Sequence, residues 1–109
     1  RINAENPKKN FMPCPGKIEN LYLPGGNGVR IDTAVYSGYQ IPPNYDSMIM
    51  KVIVYDKDRE SAIAKMRSTL GEVVIEGVQT NLDFQYDMLN QKDFLEGNVT
   101  THFIEEHYE

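Results

Sequence analysis

The prolines of this chain, at 7, 13, 15, 24, 42 and 43, all fall in its first half, interleaved with Gly16, Gly25, Gly26 and Gly28. Proline fixes φ and removes a backbone donor, and glycine opens turn conformations that other residues resist, so no long helix fits there. The runs left between them, such as Lys17–Leu23 and Val29–Tyr36, suit short antiparallel strands joined by tight turns. Ile18, Leu21 and Leu23, then Val29, Ile31 and Thr33, partly alternate with polar neighbours on either side of Pro24–Gly28. That pattern predicts a hairpin with its turn at Pro24–Gly28.

The second half is patterned differently. Met48 to Tyr55 is apolar but for Lys51, which predicts a central strand buried on most of both faces. A lysine in such a strand needs an anionic partner, and Asp46 or Glu5 is expected to supply it. Tyr45 and Met48 are expected to pack in the core. Asp58 offers an N-cap to a helix whose Ala62, Ile63, Met66 and Leu70 recur at helical spacing, with Gly71 expected as its left-handed terminus. Glu72–Glu76 is short, β-branched and bounded by glycines, and is expected to return to the sheet. Thr80 is the expected cap of a second helix through Leu82, Tyr86 and Leu89, while Phe94, Leu95, Phe103 and Ile104 anchor short terminal helices. The expected fold is α+β, an antiparallel sheet of short strands with helices packed on one side, and the 109 residues suit one domain.

Composition excludes several classes of partner. The chain is 40% hydrophobic and 25% charged with a formal net charge of −5, and its longest basic cluster is the pair Lys8-Lys9, so neither nucleic acid nor an anionic membrane is an expected partner. Cys14 is the lone cysteine, and neither a signal peptide nor an apolar run of about 18 residues is present, so a cytoplasmic or organelle-matrix location is expected. Asn98-Val99-Thr100 fits the glycosylation pattern and is read as chance.

Residue chemistry by itself points to no complete active site. Pro24-Gly-Gly-Asn-Gly28 lacks the Lys-Ser/Thr of a nucleotide-binding loop and the third glycine of a dinucleotide fingerprint. His102 and His107 are five apart, which turns them in different directions on a helix, so no metal site is expected. Asp56/Asp58 and Glu105/Glu106 sit at expected helix ends or the chain terminus, where solvated charge is the simpler role. Cys14 has no basic neighbour before Lys17 to activate it.

Read as ordered blocks, the chain resembles the C-terminal domain of biotin carboxylase, found in acetyl-CoA carboxylase and related biotin-dependent enzymes. The blocks are Arg1-Ile-Asn-Ala-Glu-Asn-Pro7, Phe11-Met-Pro-Cys-Pro-Gly-Lys-Ile18, Pro24-Gly-Gly-Asn-Gly-Val-Arg30, Ile41-Pro-Pro-Asn-Tyr-Asp-Ser-Met48 with Lys51, and Ile75-Glu-Gly-Val-Gln-Thr-Asn81, with Ala62-Ile-Ala-Lys-Met66 before the last. The resemblance implies a ligase that uses ATP and Mg2+ to activate bicarbonate and carboxylates biotin carried on a carrier protein, as in fatty acid biosynthesis. It also implies an upstream ATP-grasp portion holding nucleotide and metal, so that the 1–109 segment is a fragment binding neither alone and inactive by itself. The start directly on an expected strand, Arg1–Glu5, fits such an excised piece.

Arg1 is the position the resemblance makes catalytic, facing bicarbonate and biotin; from the residues alone it reads equally as a surface arginine on an edge strand. Asn27 and Arg30 match the family's homodimer interface, and some members carry an aromatic where Asn27 stands, whose loss removes buried area. Asp46 is expected either to pair with an arginine or to cap its own loop. The competing reading is a noncatalytic dimerisation or interaction domain.

Overall fold

The computed structural model describes residues 1–43 and 46–108. Its strands in chain order are β1 (Ile2–Asn3), β2 (Glu5–Asn6), β3 (Met12–Pro13), β4 (Gly16–Lys17), β5 (Asn20–Tyr22), β6 (Val29–Thr33), β7 (Gln40–Ile41), β8 (Met48–Val54) and β9 (Val74–Glu76). Its helices are α1 (Arg59–Glu72), α2 (Leu82–Met88), α3 (Lys92–Leu95) and α4 (Phe103–Tyr108). The α+β class holds, but the strands divide among small antiparallel sheets: β1-β8-β6, β2-β3, β4-β7 and β5-β9.

The run from Met48 is the central strand expected, with β1 on one side and β6 on the other. It is not buried on both faces. Ile49 and Met50 are buried, but from Lys51 onward the strand alternates, with Lys51, Ile53 and Tyr55 outward and Val52 and Val54 partly covered. In β6, Arg30 and Asp32 lie opposite Ile53 and Lys51 and share that outer face. Lys51 is therefore solvated and has no need of the buried counter-ion expected for it.

The expected hairpin across Pro24–Gly28 does not form. The strand before it, β5, pairs with β9 through Leu21↔Ile75, and the strand after it, β6, pairs with β8 through Ile31↔Val52. The Gly-rich segment links two sheets and closes only one local bond, from the Val29 N–H to the Gly26 carbonyl at 3.2 Å. β9 likewise returns from α1 to β5 rather than to the central sheet.

Helix α1 begins as its sequence dictates. The Asp58 carboxylate accepts from the Ser61 N–H at 2.7 Å, satisfying one of the first-turn donors that helical bonding leaves free. Its end differs from expectation: Gly71 stays helical, the helix runs through Glu72, and Val73 stops it in an extended conformation. Thr80 accepts from the Leu82 N–H at 3.2 Å, but the residue bounding α2 is Asn81. Ile63 and Leu70 of α1 are buried, and Leu70 joins Ile2, Ala4, Ile18, Ile41, Ile49, Met50 and Val73 in the core. Full burial of one such side chain contributes about 1.5–3 kcal/mol. Met48 is half-buried, and Tyr45 lies outside the described residues.

The expected strand Arg1–Glu5 breaks at Ala4. β1 bulges against β8, pairing Ile2↔Met50 and Asn3↔Met48, and the buried Ala4 donates its N–H to the Ser47 carbonyl at 2.7 Å and accepts from the Cys14 N–H at 2.8 Å. The chain then leaves the sheet to pair β2 with β3.

Candidate functional site

The backbone around Arg1 is held on both edges. On one edge β8 pairs with Ile2 and Asn3. On the other, the entrance to α2 takes the place of a neighbouring strand. Asn81 donates its backbone N–H to the Asn3 carbonyl at 3.1 Å, and its side-chain oxygen accepts from the Asn3 N–H at 2.8 Å. The Asn81 amide nitrogen donates to the Arg1 carbonyl at 3.2 Å, and Gln85, one turn further along α2, donates to the same oxygen at 3.4 Å. Asn81 is 4% exposed, so its amide is committed to these contacts rather than to solvent.

The Arg1 side chain runs from this clamp towards Asp46, whose Oδ2 lies 3.6 Å from a guanidinium nitrogen. The other Asp46 oxygen accepts from the Met48 N–H at 2.9 Å. Both alternatives expected of Asp46 are thus present at once: it pairs with an arginine and caps its own loop. The pair is more than half exposed on both sides, so its contribution to stability is small, about 0–1 kcal/mol. Its effect is on direction. An arginine carries five N–H donors in a planar fork, and a single contact at 3.6 Å leaves most of them free for an anion.

A cavity of about 500 Å³ opens beside the pair, walled by Val35, Ile41, Ile49 and Met50 with Asp46, Asp32 and Lys51 at its polar margin. The walls come from β6, β7 and β8 and from described residues beside them, among them Asp46 of the ion pair.

Arg30 lies away from Arg1, although its partner Asp32 is on the cavity margin. Arg1 precedes β1 on one edge of the central sheet, whereas Arg30 is in β6 on the other, opposite Ile53 near the far end of β8. Its guanidinium is bidentate to Asp32, at 2.9 and 3.0 Å, and this hydrogen bonding holds Arg30 above its ordinary pKa. Asn27 is exposed in the linking segment just before it. The histidines are separately engaged: His107 Nε2 meets Asp93 at 2.8 Å, and His102 Nδ1 lies 3.4 Å from Glu105.

This arrangement of strands and blocks has relatives. The sequence model of one family, the biotin carboxylase C-terminal domain, matches residues 1–106. The chain belongs to that family. Biotin carboxylase 1 of Bacillus subtilis is 55% identical over 105 residues, and biotin carboxylase of Pseudomonas aeruginosa is 50% identical over 105, each match covering 96% of this chain. The chain spans 23% of the length of either relative. Among solved structures, the biotin carboxylase domain dimer of Hydrogenobacter thermophilus 2-oxoglutarate carboxylase, in complex with MgADP, ADP and bicarbonate, superposes with a TM-score of 0.96 at 47% identity, covering 98% of this chain and 24% of that one.

Within this biotin carboxylase domain, the sequence singled out Arg1 as a candidate and named an arginine as one possible partner of Asp46, but did not show that Asn81 and Gln85 hold the Arg1 carbonyl. Asn81 closes the last of the motif blocks, which was the available signal. Its use depends on a strand edge some 80 residues earlier in the chain, visible only in the folded molecule.

Proposed function

We propose that this chain serves as the C-terminal domain of a biotin carboxylase, completing a site in which bicarbonate and the biotin of a carrier protein react. The observation that carries the reading is the family match over residues 1–106, together with an arginine clamped at its backbone and directed by Asp46. In this reading an upstream ATP-grasp portion holds ATP and Mg2+, which supply the activation of bicarbonate as carboxyphosphate.

The part played by this chain is electrostatic. Arg1 presents a permanently charged, planar fork that binds bicarbonate, and it then stabilises the enolate-like oxygen that develops on the biotin ureido group as its nitrogen loses a proton. Fixing that fork before reaction spares reorganisation in the transition state. Asp46 restrains the fork without neutralising it.

Asn27 and Arg30 are placed on a homodimer contact in this reading, on the edge of the sheet opposite Arg1. Support comes from the relative crystallised as a biotin carboxylase domain dimer. The matched relatives include enzymes named for biotin carboxylation and one named for 2-oxoglutarate, at comparable identity. That favours the shared biotin-carboxylating half-reaction as this domain's role, with acetyl-CoA carboxylase and fatty acid synthesis one setting among several. The expected location is the cytoplasm or an organelle matrix; among the described residues no helix is long and apolar enough to cross a membrane.

Complementation tests the reading. This domain, mixed with a separately produced ATP-grasp portion, is expected to restore biotin-dependent ATP turnover, whereas its Arg1→Ala form is not. Assembly with no turnover from either form would favour the noncatalytic interaction domain.

A further inference from the structure

We infer that Asn81 is a positioning residue for Arg1, fixing the backbone from which the catalytic guanidinium extends; the inference rests on the role of Arg1 proposed above. Strand β1 is only two residues long, and two residues paired to β8 on one edge do not fix the orientation of the residue that precedes them. Asn81 supplies the missing edge. It offers an acceptor to the Asn3 N–H at 2.8 Å, a backbone donor to the Asn3 carbonyl at 3.1 Å and an amide donor to the Arg1 carbonyl at 3.2 Å.

Only a side chain with both an acceptor and a donor at this length fills the position. Alanine lacks both, and aspartate would set an acceptor against the Arg1 carbonyl oxygen in a place that is 4% exposed. Gln85 reinforces the same carbonyl at 3.4 Å from the next turn. Arg1 is thus held at both ends, its carbonyl by α2 and its tip 3.6 Å from Asp46, with the side chain between them more than half exposed. Holding a catalytic group to within about 0.5 Å is what such a surrounding shell contributes to rate.

The experiment is a double-mutant cycle in the full-length carboxylase carrying this domain, with kcat and the KM for ATP measured on free biotin for the parent, Asn81→Ala, Arg1→Ala and the double variant. Asn81→Ala is expected to lower kcat by about 10- to 100-fold, leave the KM for ATP unchanged, and change the Arg1→Ala enzyme by less than about twofold. A loss that multiplies in full with that of Arg1→Ala, or an Asn81→Ala enzyme as active as the parent, overturns the inference. Gln85→Ala, which removes only the longer bond, keeps the test decisive where Asn81→Ala does not fold: a smaller loss confined to the Arg1 background supports the inference, and a loss equal in both backgrounds overturns it. Full activity of Arg1→Ala alone overturns the underlying role of Arg1, in an arm that contains no change at Asn81.

Discussion

Asp46 ties the tip of Arg1 to the start of β8: one carboxylate oxygen lies 3.6 Å from the guanidinium, and the other accepts from the Met48 N–H at 2.9 Å. Asp46→Ala is therefore expected to separate activity from stability. In the intact carboxylase kcat should fall by about tenfold as the fork loses its direction. The unfolding free energy should fall by no more than about 1 kcal/mol, because the pair is exposed. Steady-state kinetics and equilibrium unfolding on the same variant check both halves.

Gly77 has φ +111°, and a Cβ there would collide with the Lys17 carbonyl oxygen where β9 meets the β4–β5 segment. The neighbouring Glu19 N–H donates to the Glu76 carbonyl at 2.8 Å, so the backbone has no room to yield. Gly77→Ala should destabilise the protein by at least about 2 kcal/mol, combining backbone strain with the clash. Urea denaturation measures it, and a variant as stable as the parent would contradict the β5–β9 register.

The cap of α1 allows a smaller and separate prediction. Asp58→Ala removes the acceptor of the Ser61 N–H and should cost about 1 kcal/mol, whereas Asp58→Asn, which keeps an acceptor, should cost only part of that. The comparison of midpoints separates the hydrogen bond from the interaction of the carboxylate with the helix dipole.

His107 makes the C-terminal helix sensitive to pH. Its Nε2 meets Asp93 Oδ2 at 2.8 Å and its Nδ1 meets the Phe103 carbonyl at 2.9 Å, so both ring nitrogens face acceptors and the doubly protonated ring satisfies both. The hydrogen bond to Asp93, then that to Phe103, raises the His107 pKa above its ordinary 6.5. A group whose pKa is raised on folding contributes stability that is fully present below the unfolded value and is lost as pH rises through the folded one. Unfolding followed from pH 5.5 to about 8.5 should show that loss above about 6.5, and Asp93→Asn should flatten it.

Much of this fold follows from local pattern. The cap at Asp58, the spacing of Ile63, Met66 and Leu70, and the β-branched run at Val74–Glu76 each describe an element by its own residues. What local pattern does not contain is the choice of partner. Alternation around Pro24–Gly28 announces two strands, but β5 is claimed by β9 and β6 by β8, each more than fifteen residues away in the chain. Lys51 shows the same limit, because an apolar run does not reveal whether a second layer covers its other face. Gly71 stays helical because nothing forces positive φ on it, and Val73, buried in the core, sets the end of α1 instead. At the site, the residue chemistry alone left Arg1 balanced between a surface arginine and a site residue, and the role proposed for it came through the ordered blocks. The Asn81 clamp, in contrast, required the folded chain.

The most direct test of the account is bicarbonate-dependent ATP turnover with free biotin in the full-length carboxylase, comparing the parent with Arg1→Ala and Arg1→Lys. The account predicts that Arg1→Ala lowers kcat by about two to three orders of magnitude and that lysine, lacking the planar fork, restores little of it. An Arg1→Ala enzyme within about tenfold of the parent would contradict it and take Arg1 out of the reaction.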